Sequence, residues 1–389
     1  MSTRLRDEVW ALDRCSGCGA CVAACSKGVL HWMDEEHPLL EEREKLLGLS
    51  RLKLRTCEVC EQFCELSCPR LVEWPIRPDG RMVSARATGV VRSGEVNDLI
   101  RAMLVAARSA DLIDGVVMLD IDPWAVEPVT RVAASVEEIA STMGMQYLWA
   151  PVLGALNEAV FERGLTHLAV VGPPCVAQGA RRLSQSEHER LWPYREAIRA
   201  VISPFCTGIY RPNMITDLIE IAMGIERHRI RELRMQPREA KLAITLWDGT
   251  RTVAPLTEVE LFTRQGCGHC DDYIGLAADV SVGVVGSAEG WATVVTRTPV
   301  GESLVQNAEL FGLIETAPGV DEEAVRAAQM AKDRRTRAQA LDELKILMLD
   351  ALAEPQKRAA AKREFVQLFG ATASKPRVKE ECDGFCNGC

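Results

Sequence analysis

Cys15-Ser16-Gly17-Cys18-Gly19-Ala20-Cys21-Val22-Ala23-Ala24-Cys25 and, further on, Cys57-Glu58-Val59-Cys60-Glu61-Gln62-Phe63-Cys64-Glu65-Leu66-Ser67-Cys68-Pro69 decide how this chain is read. The first run is C-x2-C-x2-C-x3-C, a spacing that lets thiolates converge on a 4Fe–4S cluster as the intervening turn folds back. The second is C-x2-C-x3-C-x3-C-P, one residue longer in its middle. Paired runs of this kind imply paired clusters, and so electrons moved one at a time. In the two-cluster ferredoxin arrangement the fourth Cys of each run crosses to the other cluster. That arrangement groups Cys15, Cys18, Cys21 with Cys68, and Cys57, Cys60, Cys64 with Cys25. Two features depart from it: Cys25 is followed by Ser26 rather than Pro, and the Cys60–Cys64 interval is long.

Working outward, the chain has 389 residues and 15 cysteines, 46 basic and 55 acidic residues, and a net charge of −9. The mixed, acidic balance argues against a nucleic-acid groove. No apolar stretch reaches the roughly 18–20 residues of a membrane span, and no secretory leader is evident, so a soluble cytoplasmic protein is expected, peripheral to a membrane complex at most. An odd cysteine total in such a chain disfavours a disulfide framework. Zinc competes for C-x2-C pairs, but zinc sites usually join two such knuckles and leave no use for a four-Cys run.

Four organisational segments are expected: a ferredoxin-like two-cluster module over 1–80, a mixed α/β domain over 81–320, a helical extension over 321–372, and a linker with a Cys-rich tail over 373–389. Glu41–Lys53 reads as a helical insert and Ala371–Glu381 as a linker. Gly115–Leu119 and Leu168–Gly172 are short β-branched runs bounded by Gly, as buried strands are. Asn97–Ala110 and Val152–Arg163 carry helical spacing. Lys241–Trp247 and Arg251–Val253, joined through Asp248-Gly249, predict a hairpin. Val280–Val285 and Thr293–Arg297 predict further strands, and Asp321–Phe369 one or two amphipathic helices.

Cys175, Cys206, Cys267 and Cys270 each stand beside Pro or Gly. An isolated Cys is by default a buried thiol. Cys267-Gly268-His269-Cys270, however, is a knuckle needing two further ligands, and Cys175 and Cys206 supply them. In order along the chain stand Asp114-Gly115, Ala150-Pro151-Val152-Leu153, Gly172-Pro173-Pro174-Cys175, Phe205-Cys206, Cys267 to Tyr273, Leu276 to Gly286, and Gly290 to Thr298. This succession, over roughly residues 82–316, resembles the family of coenzyme F420 hydrogenase/dehydrogenase beta subunits. The Thr usual in that family before Pro-Cys is Pro173 here.

The resemblance implies an iron–sulfur flavoprotein oxidoreductase: an α+β (mixed α/β) domain holding FAD and a 4Fe–4S cluster on Cys175, Cys206, Cys267 and Cys270. With the N-terminal runs that makes three clusters. It also implies coenzyme F420 or a similar hydride carrier as the small-molecule partner. A larger redox complex (hydrogenase, formate dehydrogenase, heterodisulfide reductase or membrane dehydrogenase) is the expected electron partner. FAD links the two regimes, because a hydride carrier gives two electrons together and a cluster takes one. Candidate flavin contacts are Gly172, Pro173, Gly283, Gly286, Ser287, Gly290, Trp291 and Arg297; the same glycines could simply turn the chain between strands. Arg181 and Arg182 are candidates for the acidic tail of F420, against the alternative of ordinary surface arginines. No catalytic acid or base is expected, since hydride transfer requires none. Cys382, Cys386 and Cys389 could complete a fourth cluster with a non-Cys or partner ligand, or form a redox or docking tail. Two other readings stay open: a stand-alone reductase of a chlorophyll-type substrate, and an electron wire without a small-molecule site.

Overall fold

A computed structural model describes residues 4–26, 28–32, 36–40, 62–72, 80–89, 95–144, 147–353 and 363. The expected insert at Glu41–Lys53, the linker Ala371–Glu381, and Cys57, Cys60, Cys382, Cys386 and Cys389 lie outside them. The chain divides into two compact units, Met1–Asp333 and Arg334–Cys389. Of the second, the described part is the continuation of one long helix, Glu322–Ala353.

The short pair β1 (Leu30–His31) and β2 (Leu39–Leu40) belongs to the cysteine-bearing N-terminal region. The first unit is built on an eight-stranded mixed sheet. Its strands are β3 (Arg81–Ala87), β4 (Gly115–Ile121), β5 (Pro128–Ala133), β6 (Leu168–Val171), β7 (Ile198–Pro204), β11 (Val280–Gly283), β12 (Ala292–Thr296) and β13 (Ile314–Ala317). They lie in the order β13-β3-β12-β11-β7-β6-β4-β5. The central strands β4, β6, β7 and β11 run parallel, and the flanking pairs are antiparallel. Every residue of β4, β6, β11 and β12 is buried. Strands covered on both faces carry continuous apolar runs rather than alternation, which is why these segments are so rich in Val.

The two faces have different coverings. On one, Val116, Met118, Val171 and Ile202 pack with Leu99, Met103 and Leu104 of helix Glu95–Ser109 and Leu304 of helix Pro299–Leu310. The apolar positions of the first helix recur three or four residues apart, forming one buried stripe. On the other face, Val117, Leu119, Val170 and Val201 pack with Val176, Ala180 and Leu183 of helix Pro174–Ser184, and with Cys18, Ala20, Ala23 and Phe63. The N-terminal cysteine region is thus part of the cover of the sheet. Each fully buried Val or Leu side chain contributes roughly 1.5–3 kcal/mol of transfer free energy.

The expected hairpin forms: β9 (Lys241–Leu246) pairs β10 (Arg251–Pro255) with Arg251 opposite Thr245, and Gly249 takes φ +87. With β8 (Ile230–Gln236) it makes a three-stranded antiparallel sheet packed on helix Ile215–Ala222. Two expectations are adjusted. Val152–Arg163 forms two separate turns, Val152–Ala155 and Glu158–Glu162, with Gly154 inside the first. Helix Glu322–Ala353 is polar along most of its portion in the first unit, and buries Val325 there together with a charged residue, Lys332.

Candidate redox site

Cys15 and Cys18 sit on a loop after the helical turn Leu5–Trp10, with Gly17 (φ +72) and Gly19 (φ +88) in left-handed backbone on either side of Cys18. The loop is seated on the large domain. Trp149 Nε1 donates to the Gly17 carbonyl at 2.9 Å, Leu153 N–H donates to the Cys18 carbonyl at 2.9 Å, and a Cβ at Gly266 would lie 2.0 Å from the Cys15 carbonyl oxygen. Cys21 follows on the short helix Ala20–Ala23, and Cys68 closes helix Phe63–Ser67. Cys15, Cys18, Cys64 and Cys68 all act electrostatically on Cys21. The four thiols that the crossing arrangement groups together, Cys15, Cys18, Cys21 and Cys68, are therefore neighbours. Of the other group, Cys25 accepts from Val29 N–H at 3.4 Å and Cys64 is half-buried.

The second set gathers at the carboxyl ends of parallel strands. Cys175 stands in the first turn of helix Pro174–Ser184, just after β6. Cys206 follows β7, and its N–H donates to the Tyr273 carbonyl. Cys267 and Cys270 form the knuckle, where Ile209 N–H donates to Cys267 Sγ at 3.3 Å. Cys270, Cys18, Cys206 and Cys267 all act on Cys175, so the two sets also border each other. A Cβ at Gly179 would meet Cys18 Sγ at 3.2 Å, bringing the first set directly onto the helix that carries Cys175.

Burial dominates the thiol chemistry. It pushes Cys15 up to about 11 and Cys206 up to about 12. Cys270 differs: burial raises it, but Lys332 and Arg70 overcome this and leave it below the ordinary thiol value. Lys332 is 6 % exposed and donates to the Cys206 carbonyl at 2.7 Å and the Asp272 carbonyl at 2.8 Å. Burial works against its charge, yet Cys270, Cys206, Cys267 and Asp272 hold its pKa above the usual lysine range. Gln329, one turn earlier, clamps the same loop by accepting from Tyr273 N–H at 2.8 Å. Arg264, 1 % exposed, stacks on Trp149 at 4.2 Å and donates to the Glu36 carbonyl, while its Nε and Nη1 are shielded and have no acceptor among the described residues.

These features fit iron–sulfur clusters. Among the described residues no three His, Cys, Asp or Glu side chains close around a single ion. A cubane engages each thiolate at a different iron, so its ligands ring the group rather than meet at a point. Buried cations offset the charge of the thiolates, and Arg264 and Arg70, each with buried donors lacking an acceptor among the described residues, both act on Cys15.

The residues expected to hold a flavin differ in their surroundings: a Cβ at Gly290 would meet nothing among the described residues within 4 Å, whereas others pack against the protein. A Cβ at Gly283 would fall 1.9 Å from the Phe205 ring, and one at Gly172 would fall 2.6 Å from Val176, so both glycines clear protein side chains. Gly286 lies against Val325 and Asp321. Ser287 bonds Ser84 and Thr293, and Arg297 donates to Ser281 Oγ and the Ile274 carbonyl. Pro173 caps helix Pro174–Ser184. Gly290 donates to Glu95, and Trp291 stacks under Arg86 at 4.7 Å. The arginines expected to meet substrate lie on the helix that bears Cys175 of the second set. Arg181 pairs with buried Asp279 at 2.5 Å and donates to the Ala277 carbonyl, while Arg182 lies within electrostatic range of Cys68.

Two family models match the chain, those for the N-terminal and C-terminal parts of the "Coenzyme F420 hydrogenase/dehydrogenase, beta subunit", over residues 82–157 and 165–322 respectively. The chain belongs to this family of beta subunits. Among its relatives, an uncharacterised protein of Methanocaldococcus jannaschii is 34% identical, covering 86% of this chain and 97% of its own length. A subunit of the F(420)H(2) dehydrogenase of Methanosarcina mazei is 27% identical over 76% of this chain and 82% of its own. A chain of the F420-reducing [NiFe] hydrogenase complex from Methanosarcina barkeri shares the fold, with TM-score 0.61, 24% identity, and coverage of 71% of this chain and 96% of that one.

Arg70, Arg264, Lys332 and Asp272 were not singled out by the sequence. Only Arg70 carries a signal there, standing two residues beyond Cys68.

Proposed function

We propose that this chain is an oxidoreductase subunit that exchanges two reducing equivalents with coenzyme F420 and passes single electrons through 4Fe–4S clusters to a larger redox complex. Membership of the family supports the reaction class. The names of its relatives, a subunit of an F(420)H(2) dehydrogenase and a chain of an F420-reducing hydrogenase complex, support both partners. The observation that carries the cluster part is the convergence of Cys175, Cys206, Cys267 and Cys270 next to Cys15, Cys18, Cys21 and Cys68 within one buried wall.

In this reading the protein's work at the site is electrostatic. The sheet ends and the N-terminal loop exclude water from the thiols. Lys332, Arg70 and Arg264 supply positive charge where thiolates would otherwise be too costly to bury. Cluster loading must displace the thiol protons, which burial holds tightly at Cys15 and Cys206, so binding releases protons and stabilises the fold together. A flavin, FAD by family, would interconvert hydride and single-electron chemistry when bound. Of the residues expected to hold it, Gly172 and Gly283 pack against protein side chains, and Gly290 borders open space. No helix among the described residues is long and apolar enough to cross a membrane, so the electron partner is reached by docking or from solution.

Anaerobic purification followed by iron, sulfide and flavin determination tests the cofactors. Three cubanes predict about 12 iron atoms per chain, with one equivalent of FAD. Zinc in place of iron, with no flavin, refutes the reading. Oxidation of reduced F420 with a viologen dye tests the donor: an intact flavoprotein inert towards reduced F420 refutes that assignment alone and favours a different hydride carrier.

A further inference from the structure

Arg70 touches both cysteine sets. It stands in the short turn Pro69–Leu71 that Cys68 caps, in the first set. Its guanidinium donates from Nη1 to the His269 carbonyl and from Nη2 to the Gly266 carbonyl, both at 3.3 Å, in the segment that carries Cys267 and Cys270 of the second. One carbonyl lies in the knuckle and the other just before it. The remaining donor, Nε, is shielded from solvent and has no acceptor among the described residues. The charge of Arg70 is felt at Cys15, Cys18 and Cys68 on one side and at Cys270 on the other. Lys332 differs: its charge acts on Cys206, Cys267 and Cys270, all of the second set. Arg264 reaches Cys15 and Cys267, but it bonds Glu36 and stacks on the Trp149 ring.

We propose that Arg70 is a shared positioning residue between two redox centres, one on Cys15, Cys18, Cys21 and Cys68 and the other on Cys175, Cys206, Cys267 and Cys270. Its single positive charge sets the reduction potential of both at once. An electron arriving on either side gains the same fixed cation. Transfer between the centres oxidises one and reduces the other by one electron, with no proton exchanged, so the shared charge favours reduction of each while leaving their difference largely intact. Lys332, private to the second centre, then tilts that difference towards it. The proposal rests on the reading that both sets carry clusters, and the iron count separates failure of that reading from failure of this one.

The test is potentiometric titration of the anaerobic holoprotein, followed by electron paramagnetic resonance, for wild type, Arg70→Gln, Arg70→Lys and Lys332→Met. With wild-type iron content, Arg70→Gln is expected to disfavour reduction of both centres at least tenfold, ~59 mV for a one-electron couple. That is a modest demand on a unit charge acting on ligands of both centres in a water-excluded site. Arg70→Lys, which keeps the charge, should restore most of both shifts. Lys332→Met should move one signal only. Movement of one signal or of none in Arg70→Gln, or an equal shift in Arg70→Lys, overturns the proposal. Should Arg70→Gln lose iron, Arg70→Lys decides in its place: both potentials close to wild type support the shared charge, and a displaced potential at either centre overturns it.

Discussion

Replacing Gly266 by Ala tests how the N-terminal cysteine loop is held. The added Cβ would lie 2.0 Å from the Cys15 carbonyl oxygen, 2.6 Å from its carbonyl carbon and 3.2 Å from Ser16 N. All three are backbone atoms, so no rotamer change relieves the clash. Ordinary van der Waals contact begins near 3.4 Å, and the loop must retreat by more than about 1 Å, which strains the Trp149–Gly17 and Leu153–Cys18 hydrogen bonds as well. Overpacking a tight site costs about 1–3 kcal/mol, and one strained bond to a buried carbonyl adds roughly 1 kcal/mol. The expected loss is therefore ~2–4 kcal/mol. Gly89→Ala is the matched control, because nothing lies within 4 Å of its Cβ and its φ is not left-handed. Thermal unfolding of the anaerobic full chain, with limited proteolysis of the N-terminal region, measures both variants. A Gly266→Ala melt coincident with wild type and with Gly89→Ala refutes the seating described for this loop.

Arg181→Gln should destabilise the protein by roughly 3 kcal/mol, because it leaves the buried Asp279 carboxylate without its cation, with only Val201 N–H and the Thr298 hydroxyl among the described residues still donating to it; denaturant unfolding checks this. Trp149→Phe should cost about 1 kcal/mol by deleting the hydrogen bond to Gly17, visible as a lower unfolding midpoint. Asp114, whose pKa is opposed by burial but held below its ordinary 3.8 by Thr166 and His167 N–H groups and the Thr166 hydroxyl, stabilises the joint before β4. Its contribution is complete above the unfolded value of 3.8 and is lost as pH falls through the lowered folded value. Partial exposure keeps it near 1 kcal/mol. The stability difference between wild type and Asp114→Asn should be flat above about pH 5 and should shrink below, as measured by urea unfolding at each pH.

Much of the scaffold was legible because its signals are local. The β-branched runs at Gly115 and Leu168, the Asp248-Gly249 turn and the stripe of Asn97–Ala110 each declare themselves within a dozen residues. The meeting of Cys175, Cys206 and the knuckle was legible too, since a lone C-x2-C is incomplete. Glycines are less legible. Gly283 and Gly172 read equally well as room for a cofactor or as turns, while their neighbours Phe205 and Val176 are brought against them only in three dimensions. The same holds for Arg181: nothing in sequence links it to Asp279, almost a hundred residues away. Lys332 sits in a charge-rich run that looks like a solvated helix face, and only packing reveals which member of that run is buried.

The seating of the Cys15–Cys18 loop on Trp149, Leu153, Gly179 and Gly266 has a consequence for biosynthesis. These supports are made long after the loop leaves the ribosome. The earliest thiols must therefore wait, reduced and unsheltered, until the polypeptide has grown past the knuckle. On the cluster reading proposed above, loading of that first group follows synthesis of these supports.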